Sequence, residues 1–186
     1  MAFTVVYDAC VLFPAPLRDL LIRLGHAGLV RARWTEQILD EAFRNIKLRR
    51  PELNDASLLR TRNLMNAAVR DSLVTGYEPL IDGLTLPDKD DRHVLAAAVR
   101  SGAQVIVTAN LKDFPADALK GFGVEAQSPD EFVLNLLDLA PGAVAAIVSK
   151  QAADLKNPPH TRDQLLETLI ANGLVRSVAK LRELFA

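Results

Sequence analysis

Acidic and amide side chains recur in this chain at points where an α/β fold would gather them. Asp8 closes an apolar, strand-like run, Phe3-Thr-Val-Val-Tyr7. Glu41 lies on a segment opened by Thr35, and Asp88 and Asp91 open Asp88-Lys-Asp-Asp-Arg-His93. Asn110 and Asp113 follow a second strand-like run, Val105-Ile-Val-Thr108. In an open parallel sheet, ligands bind in the crevice beyond the carboxyl ends of the strands, so residues just after strands become neighbours in space. Carboxylates crowded there repel one another, and a divalent cation relieves the repulsion. Oxygen donors of this kind suit Mg²⁺ or Mn²⁺.

Asp8 carries the most weight. Burying its charge at the end of an apolar strand costs several kcal/mol unless it is paired, and the first basic residue after it is Arg18. The other acids have ordinary explanations too. Asp88 reads as a helix N-cap, and Asp88 and Asp91, three apart, are expected on one helix face. Acids in a first turn favour the helix dipole by ~0.3–1 kcal/mol without any metal. Glu41 reads equally as a solvated helix residue, and Asn110 and Asp113 as turn formers. Holding all these explanations at once is harder than placing the residues around one hard cation.

Basic residues are concentrated locally. Between positions 44 and 62 stand six, Arg44, Lys47, Arg49, Arg50, Arg60 and Arg62, against Glu52 and Asp55. That surplus could track phosphates, complement the end of a helix, or meet an acidic segment of a partner. Rival chemistries are poorly supplied. Cys10 has no evident histidine partner and reads as a small buried residue. His93 reads as packing or capping, and Trp34 as a core anchor. A haloacid-type phosphatase would want Asp-x-Asp after the first strand, where Cys10 stands, and a phosphorelay receiver would want paired early acids, where Asp8 stands alone.

The elements that must position these residues alternate. A strand over 3–8 is followed by a proline-marked turn at 13–16 and a helix with Leu17, Leu20, Leu21 and Leu24 on one side, ended by Gly25. Residues 29–32 are of uncertain type. Thr35 caps a helix striped by Ile38, Leu39, Ala42, Phe43 and Ile46, which Pro51 stops. Asn54 or Asp55 caps another, ending near Gly76. The pattern then predicts a possible strand over 77–81, a helix from Asp88 closed by Gly102, a strand over 105–108 and a weaker one over 124–126. This alternation predicts an open parallel sheet with helices on both faces, an α/β/α sandwich. From Pro129 the pattern is helix only, so the chain divides at 1–128 and 129–186, a helical extension packed on the core.

The 186 residues suit one domain with an appendage. A net charge of −1 excludes a globally basic nucleic-acid binder, and 49% hydrophobic content supports a sizeable core. One cysteine rules out an internal disulfide. Neither a signal peptide nor an apolar run of the ~20 residues that span a membrane is evident, so the expectation is a cytoplasmic protein.

At the acidic positions the sequence resembles the PIN-domain nucleases, in particular the ribonuclease toxins of bacterial VapBC-type toxin–antitoxin pairs. The matching pieces are Val5-Val-Tyr-Asp-Ala-Cys-Val-Leu12, Trp34-Thr-Glu-Gln-Ile-Leu-Asp-Glu41, Asp88-Lys-Asp-Asp-Arg-His-Val-Leu-Ala-Ala-Ala98 and Val105-Ile-Val-Thr-Ala-Asn-Leu-Lys-Asp-Phe114. The resemblance implies a metal-dependent ribonuclease with Mg²⁺ or Mn²⁺ held by Asp8 and Asp91. Glu41 and Asp88 would hold outer waters or orient the nucleophile, and Asn110 or Thr108 would position phosphate or water. The family's fourth acid often follows Thr-x; here that position is Asn110, with Asp113 a possible substitute. Arg44, Lys47, Arg49 and Arg50 would carry the RNA. The implied partners are an RNA substrate, transfer or ribosomal RNA among the candidates, a cognate antitoxin and a second copy in a homodimer. A PIN-fold module that binds RNA or protein without cutting is the alternative.

Overall fold

The computed structural model describes residues 2–186. Four short parallel strands form its sheet: β1 (Thr4–Tyr7), β2 (Arg31–Arg33), β3 (Val105–Val107) and β4 (Glu125–Gln127), in the order β2-β1-β3-β4. β1 and β3 lie in the middle and are buried on both faces, which is why they read as unbroken apolar runs. β2 is an edge strand, Arg-Ala-Arg, in which only Ala32 is buried. Charged residues on an edge discourage pairing with another chain, and they also hide the strand from a search for apolar runs.

Around the sheet run α1 (Ala9–Leu12), α2 (Ala15–His26), α3 (Glu36–Arg49), α4 (Asp55–Ala68), α5 (Arg92–Ser101) and α6 (Ala116–Leu119), followed by α7 (Pro129–Leu139), α8 (Pro141–Asp154), α9 (Arg162–Ala171) and α10 (Val175–Phe185). The open α/β sheet and the helical C-terminal part agree with the reading of the sequence. Four details differ. Residues 78–83 form a 3₁₀ turn, not a strand. α4 ends at Ala68, because the chain beyond it is drawn out beside Trp34, whose backbone accepts from Val74 and donates to Ser72. α5 begins only at Arg92, so Asp88 precedes the helix instead of capping it, and Asp88 and Asp91 do not share a helix face. Gly25 does not end α2, which continues to His26. A Cβ at Gly25 would stand 3.0 Å from that of Ala32, so the glycine permits close approach of helix and edge strand.

The core joins the sheet to the later helices. Trp34 is fully buried and stacks on Tyr7, with ring centroids 6.3 Å apart. Phe132 of α7 meets Tyr7 edge-on at 6.0 Å and Phe3 at 6.4 Å. Aromatic pairs of this geometry add about 0.5–1.5 kcal/mol beyond their buried area. α8 and α9 pack against α2. Asp130 accepts from the backbone N–H groups of Arg176 and Ser177 at 3.1 and 2.8 Å, tying α7 to the start of α10. Among the described residues no helix is long and apolar enough to cross a membrane.

Candidate active site

In the strand order β2-β1-β3-β4 the chain winds outward from β1 in one direction to β2 and in the other through β3 to β4. The crevice between β1 and β3 is therefore the switch point where ligands of such sheets bind. Asp8 follows β1 at this point, its N–H donating to the Val107 carbonyl at 3.1 Å, and Thr108 follows β3. Both are buried. Among the described residues no Lys or Arg pairs with the buried carboxylate, and dipoles hold it. Its Oδ1 accepts from the Ala9 N–H at 2.7 Å, and its Oδ2 from the Thr108 hydroxyl at 2.7 Å and the Cys10 thiol at 3.1 Å. A carboxylate has about four acceptor positions. Three are filled, which leaves one on Oδ1 for a further partner.

The other acids approach from α5 and the loops. Asp91 occupies the N-cap position of α5, yet its side chain makes no capping hydrogen bond, although this position ordinarily uses an Asp for that purpose. Its carboxyl is pushed up to about 6, first by partial burial and then by the negative charges of Asp8, Asp88 and Asp113. These four acids thus share one electrostatic environment. Asp88, exposed, accepts from the Asp90 N–H at 2.9 Å. Asp113, in the 3₁₀ turn after β3, belongs to the group by the charge it exerts on Asp91.

Glu41 reaches the same region from α3. It lines a cleft of about 350 Å³ together with Gln37, Arg44, Asn45, Asp90 and Asp91. Its Oε1 lies 3.0 Å from Nε2 of His93, a buried ring on α5. That approach is too oblique to be a hydrogen bond, and neither ring nitrogen of His93 has an aligned partner. His93 is thus packed beside Glu41.

The remaining sequence candidates are placed differently. The Asn110 side chain is exposed and meets none of the acids; its backbone N–H donates to the Thr108 hydroxyl at 3.0 Å. Thr108 gives its own proton to Asp8, so its part is to hold that carboxylate, not to grip a phosphate. Cys10 is not the apolar filler that the sequence suggested. It touches Asp8 and Thr108, and burial together with the Asp8 charge pushes its thiol up to about 12, so it stays protonated and can donate. Proximity to Asp8, two residues away, was the signal for it.

Of the basic residues, only Arg44 lines the acidic cleft. Lys47 donates to the Leu53 carbonyl at 2.5 Å and pairs with Asp55 at 3.1 Å, Arg50 pairs with Glu52, and Arg62 pairs with Glu36 and Asp40. Arg49 lies over the Phe13 ring, 5.4 Å from its centroid.

Comparison with known proteins identifies the family of the chain. The chain belongs to the PIN-domain family: the model described as "PIN domain" matches residues 4–112, and the model described as "VapC50 C-terminal domain" matches residues 129–183. It is 46% identical over 110 residues to a protein of Mycobacterium tuberculosis named "Putative ribonuclease VapC50", an alignment that covers 59% of this chain and 64% of that protein. No solved structure matches the chain.

Proposed function

We propose that the protein is a divalent-metal-dependent endoribonuclease acting as the toxin of a toxin–antitoxin pair. One observation carries the reading: Asp8 follows β1 at the switch point of the sheet, and Asp91, half-buried at the head of α5, is held at about 6 first by burial and then by the charges of Asp8, Asp88 and Asp113. A chain gains nothing in stability from like charges brought together, and a cation removes that penalty.

The residues fit such an ion. Among the described residues no three His, Cys, Asp or Glu side chains converge on one point, so the donors suit an ion that keeps most of its water and takes one or two carboxylates, as Mg²⁺ does. Asp8, through the open position on Oδ1, and Asp91, free of capping duty, would hold it. When bound, Mg²⁺ or Mn²⁺ supplies an activated water and offsets charge on the phosphate under attack. Thr108, Cys10 and the Ala9 N–H fix the Asp8 carboxylate in one orientation. Glu41, which lines the cleft, and Asp88, whose charge reaches Asp91, would serve as acceptors that orient water, and Arg44 would offer a guanidinium to a phosphate in the cleft. Asn110, through its backbone, helps hold Thr108.

The experiment is cleavage of single-stranded and transfer RNA by the purified chain with Mn²⁺, beside Asp8→Asn, which keeps the shape but removes the charge. The wild type should cut and the variant should lose activity while retaining its circular dichroism. Expression alone should arrest growth, a co-expressed antitoxin should relieve it, and light scattering should report a homodimer. The alternative, a module that binds RNA or protein without cutting, draws its support from exposed Asn110 where the family often has an acid. It takes over if no RNA is cut and growth is unaffected.

A further inference from the structure

A well-formed hollow lies away from the acids, at the seam between the α/β core and the C-terminal helices. It has a volume of about 480 Å³, within the range of small-molecule sites. Its wall is mostly apolar: Ile22 from α2, Leu64 and Met65 from α4, and Leu155 and Leu165 from the extension. Leu64 is 59% exposed although it faces this wall, so the hollow lacks a cover on that side.

Two polar groups in the wall, on Gln151 and His160, lack the partners that burial demands, and a third residue, Arg18, has donors to spare. Gln151 is 1% exposed; its Nε2 donates to the Pro16 carbonyl at 3.0 Å, but its Oε1 accepts nothing. Turning the amide over would leave the Pro16 carbonyl facing an oxygen, so the acceptor is the orphan. A buried acceptor without a donor costs about 1–3 kcal/mol. Nδ1 of His160 is likewise buried and unpartnered. Arg18 donates from Nη1 to the Leu12 and Phe13 carbonyls at 2.8 and 3.0 Å and makes no ion pair among the described residues; Asp19, its neighbour, is turned to Arg23. Burial pulls the Arg18 pKa down from its ordinary value, and the charge of Asp19, which also lines the hollow, opposes this only in part.

We propose that this hollow binds a small organic acid with an apolar body, whose carboxylate pairs with Arg18 and whose N–H or O–H donates to Gln151 Oε1. The apolar body covers Ile22, Leu64 and Leu155. A guanidinium matches a carboxylate with paired N–H donors, and Nε and Nη2 of Arg18 are uncommitted. Because α2 and α4 form one wall and α8 and α9 the other, an occupant fastens the extension to the core. The site is separate from the acidic cleft and does not depend on whether the protein cuts RNA.

Calorimetric titration of the full chain with N-acetyl-L-tryptophan tests this, with N-acetyl-L-tryptophanamide as a probe of the same body and donors but no charge. The acid should bind saturably and at least tenfold more tightly than the amide, and Arg18→Gln should erase that preference. Thr168→Phe, which fills the hollow from α9, should abolish binding of both probes in a chain that still melts cooperatively. No saturable heat from the acid, equal affinity for acid and amide, a preference that survives in folded Arg18→Gln, or unchanged binding in folded Thr168→Phe would each overturn the proposal. If Arg18→Gln does not fold, Thr168→Phe and the two probes on the wild type decide the matter.

Discussion

Asp91→Asn should make the metal-free protein more stable at neutral pH while making it insensitive to metal. In the folded chain the Asp91 carboxyl titrates at about 6, against an ordinary 3.8. That gap corresponds to roughly 3 kcal/mol at most, and solvent screening of a partly exposed group reduces it to about 1.5 kcal/mol. The aspartate also gains ~0.3–1 kcal/mol from the N-terminus of α5, which asparagine would forgo. The net gain is about 1 kcal/mol, or ~2–4 °C in Tm for a chain of this size. The folded-state pKa is raised, so the stability Asp91 contributes is complete below 3.8 and is lost as the pH rises through about 6. The advantage of the variant should therefore be full at pH 7.5 in EDTA and fade toward pH 4. With Mn²⁺ at a hundred times its Kd the wild type should gain about 2.7 kcal/mol, roughly 5–11 °C, and the variant little. Thermal melts of both proteins at the two pH values, with EDTA and with Mn²⁺, supply the measurement. A variant that melts below the wild type at pH 7.5 in EDTA, or whose offset is the same at both pH values, would refute the penalty that burial and neighbouring charges place on the Asp91 carboxylate.

Asn110→Asp should leave RNA cleavage intact while tightening Mn²⁺ binding, read by calorimetry. Arg44→Ala should weaken RNA binding in a filter assay, whereas Arg50→Ala, whose partner Glu52 already engages the charge, should change it little. Phe132→Ala should cost about 3–5 kcal/mol in urea denaturation, the usual range for a buried phenylalanine, because the ring is fully buried against Tyr7 and Phe3. Its unfolding should remain a single transition if 129–186 is an appendage of the core, and a separate transition for the extension would contradict that reading.

Most of the sheet was legible because a central parallel strand is buried on both faces and must be apolar throughout. Val5–Tyr7 and Val105–Val107 declare themselves in this way. β2 was obscure because an edge strand has only one buried residue here, Ala32 between two arginines. The stretch at 77–81 misled for the opposite reason. Tyr77, Leu80 and Ile81 are apolar, yet Pro79 removes a donor that a ladder would need, and the segment closes into a 3₁₀ turn.

The acids of the site were legible by type and by their place after strands, whereas the groups that hold them were not. Asp8 stands out in the sequence as a charge with no cation to balance it, and the structure answers with dipoles instead: a backbone N–H, a hydroxyl and a thiol. Two of these, Thr108 and Cys10, are separated by 98 residues and touch only because β1 and β3 are neighbours in register. Dipoles were needed because a lysine or arginine at Asp8 would neutralise the carboxylate and occupy its last free acceptor position. Leaving that position open keeps four acids under mutual repulsion. Asp8 has three donors to hold its charge, whereas Asp91 has no capping bond. The residue that the fold leaves least satisfied is therefore the one whose charge a bound cation would relieve most.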